Sequence, residues 1–173
     1  KSGILHNLAN QHNIPTLPIP DDVGGRFSVL SPVGLFPALF MGIDIDKLIS
    51  QAKTFAQNLI SNNSSDNPAW QFSLQTYLFQ KLYNLDSIII MPYVARLELF
   101  ANWFRQLWAE SLGKEGRGVL PIKAIGPADQ HSQVQFYNQG KLLSTFLFIS
   151  CQNYSHNMTI SNPDIVDLKY LNS

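Results

Sequence analysis

Charge is what this sequence most lacks. Of its 173 residues only 14% are charged, and twelve basic side chains balance twelve acidic ones for a formal net charge of +0. No basic stripe is available to hold a phosphate backbone, which argues against nucleic-acid binding. Cysteine is almost absent: the single Cys151 excludes an internal disulfide and fits a reducing compartment. Within "LLSTFLFISCQ" it is expected to be a buried thiol rather than a nucleophile. No apolar run reaches transmembrane length, and the start "KSGILHNLANQHN" lacks a signal-peptide core. Sequons begin at Asn62, Asn63, Asn153 and Asn157, but asparagine is plentiful and such motifs arise by chance. These absences together predict a cytoplasmic protein with no membrane partner. No pair of His, Cys or carboxylate residues has metal-ligand spacing, so no metal is expected.

What is present is hydrophobic. Apolar residues make up 45% of a chain long enough for one domain with a real core. So little surface charge suggests faces meant to be covered by another chain or segment. "ILHNLANQHN" has the spacing of a short amphipathic helix, and "IPTLPIP" is extended by its prolines, strand-like at Leu17 and Ile19. "VGLFPALFMGI" predicts a buried helical segment. "DIDKLISQAKTFAQNLI" predicts a helix with an acidic first turn, and Pro68 opens another over "AWQFSLQTYLFQKLYN". "DSIIIMPY" is a continuous β-branched run, the pattern of a central parallel strand buried on both faces. "RLELFANWFRQLWAESLG" sets Leu97, Phe100, Trp103, Phe104, Leu107 and Trp108 on one helical face, with Gly113 beyond its end. "GVLPIKAIG" and "KLLSTFLFISCQ" supply two further strands. The alternation predicts an α/β fold, a three-layer αβα sandwich around a mostly parallel sheet.

Three stretches can carry chemistry. In "DDVGGRFSVLSPVG", Gly24 and Gly25 permit backbone angles and close approaches that a β-carbon forbids. Arg26, permanently charged with a planar fork of donors, suits an oxyanion or phosphate. The plainer reading is a tight turn whose arginine pairs with Asp21 or Asp22. In "FRQLWAESLGK", Gln106 and Glu110 stand four apart on one face. Partly desolvated beside Leu107 and Trp108, the Glu110 carboxyl would suit a general base. In the alternative it is a solvated partner of Lys114. In "GPADQHSQVQ", His131 falls in what reads as a Gly-Pro loop between two strands, where side chains face solvent or a site.

Taken in order, the three stretches resemble the glucose-6-phosphate isomerase (phosphoglucose isomerase) family. "DDVGGRFSVLSPVG" is similar to its signature, "WFRQLWAESLGK" to its second signature and "GPADQHSQVQ" to its histidine loop, over about Gly3 to Gly140, beyond which the likeness thins. The resemblance implies interconversion of glucose 6-phosphate and fructose 6-phosphate in glycolysis and gluconeogenesis, through a cis-enediol(ate), without cofactor or metal. It implies that Glu110 is the base, that Arg26 steadies the enediolate, and that His131 assists ring opening. In the family that histidine is lent by the second subunit of a homodimer. Gly25, Arg26 and Gln106 match substrate-contacting positions. The implied fold is a pair of flavodoxin-like sugar-isomerase (SIS) domains, with residues 1–20 the tail of the first and 21–173 the second. Two family features have no counterpart here, the phosphate-holding Ser/Thr loop and the lysine of the C-terminal catalytic helix; Lys169 does not match that lysine's surroundings. The chain is therefore expected to be a segment, inactive alone. The alternative is a non-catalytic SIS module that binds sugar phosphates.

Overall fold

A computed structural model describes residues 3–61, 65–141 and 144–154. The chain opens with four helices: α1 (Ile4–Gln11), α2 (Pro32–Phe40), α3 (Ile45–Ser61) and α4 (Pro68–Tyr83). A 3-10 turn, Gly25–Leu30, precedes α2. Three strands then alternate with two helices: β1 (Ser87–Pro92), α5 (Glu98–Leu112), β2 (Leu120–Lys123), α6 (Ala128–Gln139) and β3 (Ser144–Ile149).

All three strands are parallel in the order β2-β1-β3, with Ile89 opposite Ile122 on one side and Phe146 on the other. The "SIIIMP" run is central, as its pattern predicts, and every residue of β1 is buried. Side chains alternate across a strand. Ile89 and Met91 therefore share a face, where they pack with Ala124, Ile122, Phe146 and, from α6, Tyr137. Ile88 and Ile90 point the other way, and α5 packs on β1 and β2. This is an α/β fold with a three-stranded parallel sheet flanked by helices.

Local chemistry starts and stops the helices. Ser31 caps α2, its hydroxyl accepting from the Val33 N–H, and Pro32 fills the first position. Asn67 caps α4 through the N–H groups of Ala69 and Trp70. Asp44 accepts from the Lys47 N–H and opens α3. Gly113 follows the last residue of α5, donating to the Ala109 carbonyl.

Four expectations are corrected. Leu17 and Ile19 form no strand; Pro15, Pro18 and Pro20 remove the donors that a ladder needs. Helix α2 forms but is not buried: Phe36, Leu39 and Phe40 are exposed and only Ala38 is fully buried, because α2 packs mainly on the 3-10 turn and α3. "GPADQHSQVQ" is not a loop but the start of α6, and its polar faces carry no 3.6-residue apolar stripe to reveal it. Cys151 is exposed just beyond β3 rather than buried. The C-terminal stretch holding His156 and Lys169 lies outside the described residues.

Candidate functional site

The Gly-Gly-Arg stretch winds into the 3-10 turn, tightened by two local bonds. The buried Ser28 donates its hydroxyl hydrogen to the Gly25 carbonyl at 2.6 Å, and Ser31 does the same to Ser28. Neither Gly24 nor Gly25 takes a left-handed backbone, so conformational freedom is not what the pair supplies here. A β-carbon on Gly25 would meet nothing within 4 Å, which leaves that backbone facing open space. Gly34 is different. A β-carbon there would strike the Val29 carbonyl, so glycine is what lets α2 close against the turn.

The turn presents Arg26 to the C-terminal half of α5. Arg26 Nε donates to Ser111 Oγ at 2.9 Å, and the Trp103 indole N–H donates to the Arg26 carbonyl at 3.3 Å. The guanidinium also stacks over the Phe27 ring, 4.9 Å from its centroid. Held so, Arg26 Nη1 lies 3.7 Å from Glu110 Oε2. The other carboxylate oxygen, Oε1, accepts from Gln106 Nε2 at 3.0 Å, the one-turn spacing read from the sequence.

The site thus joins Arg26, Gln106 and Glu110, with Gly25 next in the chain. Glu110 pairs with Arg26 rather than with Lys114, and its side chain is half exposed, not desolvated. Ser111 and Trp103 were not singled out from the sequence, although Ser111 adjoins Glu110 and Trp103 lies seven residues before it. His131 stands apart, exposed in the first turn of α6, and no hydrogen bond or ion pair joins it to the other three. What sets that turn is Asp129, whose carboxylate accepts from the Ile125 N–H at 2.6 Å, and Gln130, which accepts from the Tyr93 hydroxyl. Burial pushes the Tyr137 phenol above its usual range, and the Asp129 charge adds to this.

A carboxylate held between an amide and a guanidinium can take a proton from carbon while the cation faces the charge that develops. Fold and site together define a parallel α/β domain with a carboxylate–guanidinium pair on its helical flank. Comparison with known proteins narrows the class. The family model Phosphoglucose isomerase matches residues 10–166, a span that runs past Gly140. The probable glucose-6-phosphate isomerase of Haloarcula marismortui is 43% identical over 171 residues, 99% of this chain and 38% of its own length. The glucose-6-phosphate isomerase of Mycoplasmopsis synoviae is 36% identical over 172 residues, again 99% of this chain and 40% of its own length. Among solved structures, a hypothetical protein of Thermus thermophilus superposes with a TM-score of 0.78 at 35% identity, covering 86% of this chain and 36% of that one. The chain belongs to the phosphoglucose isomerase family. It spans about 40% of the length of the relatives it matches.

Proposed function

We propose that this chain supplies the proton-transferring segment of a glucose-6-phosphate isomerase, with residues 1–20 ending a first SIS domain and 21–173 forming the second. The observation that carries the reading is the Arg26–Glu110 pair, with Gln106 on the second carboxylate oxygen. Glu110 removes the proton from C2 of the open-chain aldose. The C–H electron pair forms the C1=C2 double bond, and the former carbonyl oxygen takes up negative charge that Arg26 balances. The C2 hydroxyl then passes its proton to the C1 oxygen as the C2 carbonyl forms, and return of the abstracted proton to C1 gives the ketose, so one carboxylate serves both halves and no redox partner is consumed. Gln106 and the open backbone at Gly25 contact the sugar phosphate. His131 opens the ring, and the lack of any hydrogen bond or ion pair from it to Arg26 or Glu110 fits a homodimer in which each subunit lends it to the other. A non-catalytic sugar-phosphate module has no use for a base, which favours the enzyme.

Two results are expected of the purified 173-residue chain. It should turn over fructose 6-phosphate at no more than a trace of a full-length relative's rate, because the family's phosphate loop and C-terminal lysine have no counterpart in it. A coupled dehydrogenase assay giving family-like rates would sink this. The chain should also self-associate: Leu39, Phe40, Met41, Phe55 and Leu99 are among its exposed large apolar residues, and few charges keep copies apart. Light scattering that finds a monodisperse monomer at high concentration counts against it.

A further inference from the structure

A groove of about 690 Å³ lies where α4, the end of α5 and the loop after it meet. Neither Arg26 nor Glu110 lines it. Its shape comes from the loop: Gly116 and Gly118 take left-handed backbones, at φ 69 and 95, and Gly118 lies so close to the Leu112 carbonyl that no β-carbon fits between. Three cations line it, Lys81, Lys114 and Arg117, against one carboxylate, Glu115. No described carboxylate pairs with any of the three, in a chain whose net charge is zero. Lys81 instead rests its ammonium 5.8 Å from the centre of the Tyr77 ring. Tyr77 and Trp108 form aromatic walls. The Trp108 indole N–H is buried without an acceptor, the one such side-chain atom among the described residues.

Free cations suit phosphate oxygens, and aromatic walls suit a flat apolar body. We propose that this groove binds a phosphate monoester carrying a planar apolar body, at a site separate from the Arg26–Glu110 pair. This goes beyond the isomerase reading and does not depend on it. Ser111 joins the two places: it lines the groove and accepts the Arg26 Nε–H. An occupant therefore touches what holds Arg26 without taking Arg26's place.

The test follows the three tryptophan indole N–H signals of the ¹⁵N-labelled chain by NMR, with Trp108→Phe assigning the one concerned. Phenyl phosphate should shift that signal saturably. Phenol alone and inorganic phosphate alone should bind at least about tenfold more weakly, since each makes only part of the contact. The double variant Lys81→Met/Arg117→Met should weaken phenyl phosphate by a similar factor. Both side chains are exposed, so the fold is retained, and unchanged Trp70 and Trp103 signals verify it. The absence of a saturable shift overturns the proposal. So does equal binding of inorganic phosphate, or undiminished binding by the double variant. Displacement of phenyl phosphate by fructose 6-phosphate overturns the separateness of the site.

Discussion

Glu110→Gln is expected to lower isomerisation by at least about 10²–10⁴-fold, the range general base catalysis commands, while sugar-phosphate binding survives. The test belongs in the full-length isomerase that we propose this segment to be part of. The amide keeps the shape of the carboxylate and an oxygen able to accept the Gln106 N–H bond now made at 3.0 Å. What it loses is the proton acceptor. The lost ion pair costs little stability, because its oxygen and nitrogen stand 3.7 Å apart and Glu110 is half exposed. A fall in turnover without a fall in stability therefore reports chemistry. Arg26→Lys gives the contrast. Arg26 uses one nitrogen on Ser111 and turns another toward Glu110, a division that a single ammonium on a flexible stem cannot reproduce. Turnover should drop there too, but by loss of charge stabilisation. Exchange of the substrate's C2 proton with solvent separates the two: abolished in the glutamine variant, slowed but persistent in the lysine variant. Wild-type exchange in the glutamine variant would remove Glu110 as the base.

The second large effect concerns stability. Ile90→Ala is expected to cost about 2–5 kcal/mol. Ile90 is wholly buried in the central strand, with Lys123 of β2 and Leu147 of β3 as its register partners. Strands hydrogen-bonded on both sides cannot move in to close the void, so cavity cost adds to the lost transfer free energy. Against a typical stability of about 5–15 kcal/mol that is a large share. Ile60→Ala removes the same atoms from α3, where Ile60 is 86% exposed, and should change stability by less than about 0.5 kcal/mol. Urea midpoints measure both, with the m-value as the check that the unfolding transition is the same. Equal midpoints for the two variants would mean that β1 does not anchor the core.

The sheet was legible because its chemistry is local. Three consecutive isoleucines between Ser87 and Met91 form a short β-branched run, the pattern of a strand covered from both sides. Helix α5 was legible in the same way, with Gly113 marking its end. Its aromatic stripe is wider than the face it buries: Phe100 and Trp103 stay partly exposed, while Ala101 is fully covered. Periodicity registers apolar character and not the closeness of a neighbour. Helix α6 left no periodic trace, and "GPADQHSQVQ" reads as a loop until the Asp129 carboxylate is seen bonding the Ile125 N–H at its start.

By itself the sequence determined the parallel central strand, the helix that follows it, the i, i+4 pairing of Gln106 with Glu110, and, through three ordered motifs, the family. Each of these depends on residues close in the chain or on their order along it. Only the tertiary structure decided which carboxylate Arg26 meets. Asp21 and Asp22 are four or five residues away and Glu110 is 84, yet the Arg26 fork is aimed by Ser111 and its backbone is held by Trp103. Both tethers come from α5, and no local pattern records which helix packs against the turn. The exposure of Glu110 and the groove beside Ser111 were decided the same way, by how α4, α5 and the glycine-rich loop pack, a matter of close approach between segments that the chain order leaves open.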